Sequence, residues 1–295
     1  MFSLEKKRVD SRVLAQLFTS QAINKIADGD LSFLYRVLND FLTPQTPNLL
    51  VAQVFELAFN KLLIDYKTEY FFKNAIANKL YLGRHSGREA TMLSEFRVGN
   101  NKADCVIVNG HSTCYEIKTK FDSLKRLQDQ LTSYMKIFDK VYVVCDAVHI
   151  NNVLSCIPDG VGVIELTQRG ALKKIKKALV NSHEIDRDML ISSLRKPEYV
   201  CIAEELTNNP ITSSNMNTYS ECLDIFNKAS SNELRQLFKY AIKKNRGADF
   251  SFVDRLPPSL TNTAFSFKLS KSKKIAFGEI LTQHIHKDIK CTFHL

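Results

Sequence analysis

Residues 114–145 read CYEIKTKFDSLKRLQDQLTSYMKIFDKVYVVC. The opening suits a pleated, half-buried strand, because Tyr115, Ile117 and Thr119 are aromatic or β-branched. Glu116 and Lys118 stand between them. Side chains on a strand alternate faces, so this carboxylate and this ammonium share one face, and Tyr115 and Ile117 share the other. An amphipathic helix is expected over 124–138, with Leu124, Leu127, Leu131, Tyr134, Met135 and Phe138 recurring at three and four. The apolar run Val141–Val144 then reads as a buried strand. Strand, crossover helix and strand imply parallel pairing. A core-bound strand that carries two charges needs a reason, and the rest of the chain supplies one.

Working outward, strand-like runs occupy 91–98, 103–108 and 113–119, and Asn109-Gly110 signals a tight hairpin. They predict a three-stranded antiparallel meander before the helix. A further strand is expected at 161–166, after Pro158-Asp159-Gly160. The fold class is therefore α/β, a mixed central sheet with flanking helices and with helical N- and C-terminal segments. Helices are expected over 10–28, 30–42 and 48–80, the last breaking near Asp65. Pro44 and Pro47 stop the second, and Gly83, Ser86 and Gly87 mark a loop. From 171 onward the pattern reads as helical, with Ser230 and Glu233 forming a capping box. The division expected is 1–48 N-terminal helical segment, 49–182 catalytic-type core and 183–295 mainly helical C-terminal domain.

The chain has 295 residues and is 44% hydrophobic, enough for a substantial core. No run approaches a membrane helix, and MFSLEKKRVDSR lacks the apolar centre of a secretion signal. Seven cysteines stand singly, with no C-x-x-C pair, as in a reduced cytoplasmic protein. The formal net charge of +10 serves solubility on its plainer reading and a polyanionic partner on its sharper one. Lys173-Lys174 with Lys176-Lys177, and Lys268 with Lys271, Lys273 and Lys274, are basic clusters; each is a solvated face unless a groove adjoins it. The tail residues His284, His286, Cys291 and His294 fit a strand with alternating histidines better than any structural zinc spacing.

Asp104 enters the apolar run Cys105–Val108 as a lone carboxylate. Across the Asn109-Gly110 hairpin it can lie beside Glu116 on the neighbouring strand. Two carboxylates in a partly buried place repel, which raises a pKa or calls for a cation. Oxygen ligands of this kind suit Mg²⁺ or Mn²⁺, and Lys118 beside them offers a positive charge to a phosphate oxygen. A bare Glu-x-Lys is more commonly an internal salt bridge; its surroundings are what raise the catalytic reading.

Asp104, then Glu116-Ile117-Lys118 after eleven intervening residues, each on an expected strand, resembles the PD-(D/E)XK nuclease core. Gln130-Leu131-Thr132-Ser133-Tyr134 resembles the Q-x-x-x-Y motif of its RecB-like and Cas4-like branch, and the wider run is similar to a group of poorly characterised bacterial nuclease-like proteins. The resemblance covers about residues 50–170. It implies a metal-dependent phosphodiester hydrolase acting on nucleic acid, DNA before RNA, in repair, a mobile element or phage defence.

By that resemblance Asp104, Glu116 and the carbonyl of Ile117 bind metal. Lys118 orients the attacking water or stabilises the pentavalent phosphate, and Gln130 supports the site. Glu95 is the first choice for an upstream acidic ligand and Glu69 the second. Tyr134, Arg126, Lys120, Lys125, Lys173 and Lys174 would touch nucleic acid, although Arg126 also fits an ion pair with Asp122. Ala103 stands where the family has proline. The rival expectation is a catalytically inactive nuclease-like module that binds nucleic acid or recruits a protein. The C-terminal helical segment would hold substrate or a protein partner, and a homodimer stays open.

Overall fold

The structure is a computed structural model that describes residues 10–42, 48–83 and 90–286. Contacts group these residues into two compact units. One joins the N-terminal residues through Asn78 to residues 168–170 and the segment from Asp249 onward; the other spans Lys79–Thr167 and Ala171–Ala248. The linear division at 48/49 and 182/183 does not follow this grouping. The helices between Arg187 and Asn245 share the core of the sheet, and the segment from Asp249 groups with the N-terminal helices in the other unit.

The second unit holds the sheet. Its strands are β1 (Thr91–Val98), β2 (Asn101–Val108), β3 (Ser112–Lys118), β4 (Lys140–Cys145), β5 (Gly162–Leu166) and β6 (Leu172–Lys176), in that spatial order. β1, β2 and β3 form the expected antiparallel meander, β3, β4 and β5 run parallel, and β6 returns antiparallel. The helix between β3 and β4, α1 (Leu127–Met135), is shorter than its apolar pattern suggested. It packs Leu127, Leu131 and Tyr134 against Cys114, Val106, Val141 and Val143. With neighbours on both sides and helices over the sheet, every residue of β3 is buried.

One segment departs from the sequence reading. Residues 172–176 form an edge strand where a helix was expected, closed onto β5 by a hydrogen bond from Thr167 N–H to the Ala171 carbonyl (2.9 Å). Gly170, at φ +73°, supplies the left-handed residue of that turn. Lys173 pairs opposite Glu165 and Lys174 opposite Ile164. Successive strand residues point to opposite faces, so Lys173 and Lys174 do not form one basic face. Lysines on an edge strand discourage pairing with another chain.

The C-terminal helices of this unit, Arg187–Ser193, Lys196–Thr207, Thr218–Lys228 and Ser231–Asn245, bring Leu190, Ile202, Phe226, Phe238 and Ile242 into the sheet's core. Ser230 and Glu233 make the expected capping box. A buried ionic network fixes the last helix. Asp139, before β4, accepts hydrogen bonds from Ser112 N–H (2.7 Å) and Arg235 Nη1 (3.2 Å), and Lys239 Nζ lies 3.5 Å away. Arg235 also donates to the His183 carbonyl and Lys239 to the Gly110 carbonyl.

The other unit is helical: Ser20–Ala27, Ser32–Phe41, Val51–Asp65, Glu69–Ile76 and Lys271–Leu281, with the strand pair Asn48–Leu50 and His284–His286. The break expected near Asp65 is present. Phe18, Phe55, Phe59, Tyr70 and Phe71 form its aromatic core. Within the second lysine cluster, Lys273 pairs with Asp28 and Lys274 with Asp249. The expectations at Pro44, Pro47, Ser86, Gly87, Cys291 and His294 lie outside the described residues.

Removing Asp139 leaves two buried cations and a backbone N–H without their shared acceptor. Asp139→Ala should therefore cost about 3–5 kcal/mol, as breaking one side of a buried pair does, and Asp139→Asn should cost less because the Ser112 hydrogen bond can survive. Urea denaturation followed by circular dichroism measures both; a loss below ~1 kcal/mol for Asp139→Ala would remove the network from the account of stability.

Candidate active site

The ladder between β2 and β3 runs from Val108↔Ser112 to Cys105↔Tyr115. One residue beyond it, Asp104 and Glu116 emerge on neighbouring strands. Asp104 Oδ2 accepts the backbone N–H of Ile117 at 2.6 Å. The structure thus ties Ile117 to the site through its N–H. Glu116 and Lys118 lie on the face that carries Cys114 and α1, while Tyr115 stacks on Tyr142 across the other face. The alternation read from the sequence holds.

Glu116 is 2% exposed and Lys118 6% exposed. Lys118 Nζ donates to Glu116 Oε1 (2.8 Å) and to Gln130 Oε1 (2.9 Å). Tyr134 Oη donates to Glu116 Oε2 (2.9 Å). Gln130 and Tyr134 are one helical turn apart, so α1 presents both to the same pair. A buried carboxylate and ammonium are tolerated only where partners satisfy them, and here each is hydrogen-bonded on two sides. Burial raises the pKa of Glu116, opposed by the Lys118 charge and by hydrogen bonds from Lys118, Tyr134 and Gln130. Burial and the adjacent Glu116 charge also push the Tyr134 phenol up, so it stays a donor.

Tyr134 is fully buried, which corrects its expected role. It cannot touch nucleic acid and instead holds Glu116. Gln130, 7% exposed, is likewise a positioning residue acting through Lys118. Arg126 is exposed at the N-cap of α1, and the carboxylate once paired with it in prospect, Asp122, accepts from Thr119 N–H and Oγ1 (both 2.7 Å). Lys120 and Lys125 are exposed on the same loop as Arg126.

Glu95 sits between the ladder pairs Ser94↔Cys105 and Phe96↔Ala103, beside Asp104. It has φ +60°, the left-handed region, in the middle of a strand. For a residue with a Cβ that costs about 1–3 kcal/mol, and such strain concentrates at functional sites. Carboxylate oxygens of Glu95 and Asp104 come within 4.8 Å of one another, and Glu95 is ion-paired with Lys102. These are hard oxygen donors of the kind Mg²⁺ or Mn²⁺ takes. Glu69 lies in the other unit, in the first turn of its helix, and pairs with Lys73 at 2.5 Å.

His149 also reaches this region. Its Nε2 lies 3.0 Å from the Thr119 carbonyl, one residue past Lys118, and Asp146 N–H donates to the Lys118 carbonyl at 3.0 Å. A carbonyl only accepts, so Nε2 carries the hydrogen. No spacing in the sequence announces this, because the contact joins the ends of two parallel strands.

Residues 64–263 match the family described as bacteriophage P4 protein cII, a stretch that includes every residue of this site on the sheet and α1. Protein cII of Enterobacteria phage P4 is 33% identical over 175 residues, which cover 57% of this chain and 64% of that protein. Among solved structures, a protein of unknown function from Silicibacter pomeroyi, SPO1766, aligns with 41% of this chain and 78% of its own at 14% identity and a TM-score of 0.30. At that score the likeness bears on neither fold nor function.

A carboxyl whose folded pKa is raised adds stability below its unfolded pKa and loses that contribution as pH rises through the folded one. Glu116→Gln cannot titrate. The stability of the unaltered protein relative to Glu116→Gln should therefore fall as pH climbs through and above the ordinary carboxylate range. In a Tyr134→Phe background the fall should begin at the same pH but extend higher and grow larger, because a hydrogen bond that favours the charged form is gone. Paired urea titrations at stepped pH measure this, and a flat difference would mean that Lys118 fully offsets the burial.

Proposed function

This chain belongs to the bacteriophage P4 protein cII family, and we propose that it is a metal-dependent nuclease that hydrolyses phosphodiester bonds of nucleic acid, DNA before RNA. The observation that carries the reading is the buried Glu116–Lys118 pair with Gln130 and Tyr134 behind it and Asp104 and Glu95 beside it. A purely structural salt bridge has no need of a strained acidic neighbour. The same residues match the PD-(D/E)XK and Q-x-x-x-Y patterns in the sequence.

Asp104 and Glu95 would hold the Mg²⁺ or Mn²⁺, with Glu116 as a further ligand. The Glu116 carboxylate has four lone-pair sites and accepts from Lys118, Tyr134 and Gln130, which leaves one. When bound, such an ion supplies Lewis acidity and lowers the pKa of water. The protein's own groups do the rest. Asp104 is held in register by the Ile117 N–H, so its carboxylate is aimed by the sheet. Lys118 commits two of its three N–H bonds to Glu116 and Gln130, which leaves one for a non-bridging phosphate oxygen. In a site with little water that donor stabilises the charge that grows on phosphate in the transition state. Lys102, paired with Glu95, would yield its place to the incoming cation or share it.

Lys120, Lys125 and Arg126 follow Lys118 on one loop and would contact the phosphate backbone. Cytoplasmic action fits the scattered free cysteines, of which Cys105, Cys114, Cys145, Cys201 and Cys222 are buried. Among the described residues no helix is long and apolar enough to cross a membrane.

The test is divalent-dependent cleavage of DNA and RNA by the purified chain. Asp104→Asn keeps an acceptor for Ile117 N–H, and Lys118→Met keeps the volume of the side chain. Each should lower the rate by roughly 10²-fold or more, while circular dichroism stays unchanged. Cleavage by both variants at the original rate would assign the activity elsewhere. A folded protein that binds nucleic acid and cuts none with either ion would favour an inactive nuclease-like module.

A further inference from the structure

The helical unit holds a cavity of about 400 Å³ that is lined by its own residues alone. The apolar part of the wall is aromatic. Phe18 and Tyr70 lie 5.0 Å apart between ring centroids, Tyr70 and Phe267 6.3 Å apart, and Tyr66 also faces the cavity. Among the described residues Ala15 is the one aliphatic side chain on that wall.

Asn262 lines the same cavity and is 1% exposed. Its place is fixed from several sides. Its N–H donates to Asn74 Oδ1 (2.9 Å), its Oδ1 accepts Ser266 Oγ (2.7 Å), and its carbonyl accepts Phe265 N–H (3.1 Å) and Ser266 N–H (2.9 Å). An amide nitrogen carries two N–H bonds, yet among the described residues nothing accepts from Asn262 Nδ2. Buried donors in folded proteins ordinarily have a partner. Among the described residues the side-chain polar atom that is sealed off without one is Ser259 Oγ, so Asn262 Nδ2 opens onto the cavity. It is a held donor that waits for an acceptor from outside the chain.

The other polar groups of the wall give the sign of the ligand. Thr68 is the N-cap of the helix Glu69–Ile76 and makes no capping hydrogen bond with its side chain. Thr68, Glu69 and Tyr70 line the cavity, so the leading N–H groups of that helix are left for another acceptor. Glu69 and Lys73 answer one another as an ion pair. Arg12 has no ion pair or hydrogen bond among the described residues, which makes it the uncompensated charge of the wall. Its planar fork suits phosphate or carboxylate. The rings suit a flat aromatic group better than an aliphatic chain. A nucleotide carries both parts, and the volume lies in the range of pockets that hold small ligands.

We propose that this cavity is a nucleotide-binding site, with the ring of the ligand against the Phe18, Tyr70 and Phe267 wall, its phosphate held by Arg12 and the open first turn of the helix Glu69–Ile76, and Asn262 Nδ2 donating to it. The site goes beyond the nuclease reading and stands whether or not the chain cuts. A free nucleotide and the phosphorylated end of a strand present the same chemistry to it.

The experiment uses the full chain in EDTA, so that binding is measured with any cleavage off. Isothermal titration calorimetry gives affinities for the common nucleoside 5′-monophosphates, for their nucleosides, for inorganic phosphate, and for a short oligonucleotide with and without a 5′-phosphate. At least one monophosphate should bind about 10-fold or more tighter than its nucleoside and than inorganic phosphate. Arg12→Gln alters an exposed residue and should weaken that monophosphate about 10- to 100-fold, and its nucleoside less than about twofold. Asn262→Asp keeps the acceptor for Ser266 and replaces the open donor, so it should abolish binding; thermal melting without ligand shows whether that variant folds, and Arg12→Gln decides the matter if it does not. No binding of any monophosphate at millimolar concentration, a nucleoside or phosphate bound as tightly as the monophosphate, or full affinity in Arg12→Gln would each overturn the proposal. Affinity for the 5′-phosphorylated oligonucleotide equal to that for the monophosphate would make a strand end the ligand, and its exclusion would make it a free nucleotide. Cleavage with Mn²⁺ is scored apart. Monophosphate binding in a chain that never cuts would keep this site and discard the nuclease, and cutting by a chain that binds no monophosphate would do the reverse.

Discussion

A carboxylate and an ammonium buried together on a central strand impose the demands that the rest of the second unit meets. Glu116 and Lys118 are almost wholly removed from water. Taking two charges out of water costs several kcal/mol per ion unless geometry and further hydrogen bonds repay it. Gln130 and Tyr134 repay it from α1, one to each member of the pair. That need fixes the rotation of α1 about its axis: turned by one residue, it would leave Glu116 and Lys118 without their second partners. The apolar residues Leu127 and Leu131 then hold the helix in that setting.

Around this pair the unit combines order with local strain. Asp104 is locked by a backbone N–H, and Lys118 and Thr119 are locked from the far side by Asp146 and His149. Glu95 is held in a conformation that its side chain disfavours. The ladder pairs on either side of it stay in register, so the strain is confined to one residue. The surrounding sheet over-determines that residue, which is the circumstance in which such strain survives.

The helices from Arg187 to Asn245 belong to this architecture rather than to a separate domain. Their apolar side chains complete the core under the sheet. The Asp139 network joins the start of β3 and the loop before β4 to the helix Ser231–Asn245. A second buried pair, Glu198 with Arg246, closes the same layer, and the Arg246 guanidinium also lies 5.0 Å from the Phe96 ring. Removal of these helices would expose both apolar surface and half-satisfied charges.

Local patterning set most of the elements of the sheet and the face on which the charged pair stands. Alternation is local, so Glu116 and Lys118 had to share a side of β3, and the hairpin at 109–111 had to bring Asp104 up to Glu116. The apolar period likewise placed Gln130 and Tyr134 on one stripe of α1. What only the tertiary structure decided is how deep each group lies and what it meets. Tyr134 passed for a nucleic-acid contact in sequence because a tyrosine's hydroxyl reads the same in a core as on a surface; burial makes it a donor to Glu116. Lys173 and Lys174 read as one turn of a helix because a run of five residues can satisfy either period; pairing with β5 made it a strand and put them on opposite faces. His149 reached the Thr119 carbonyl, and the helices from Arg187 to Asn245 reached the core of the sheet, through contacts between residues far apart in the chain. Local periodicity carries no record of such contacts, since it fixes which way a side chain points from its own element and not what lies opposite.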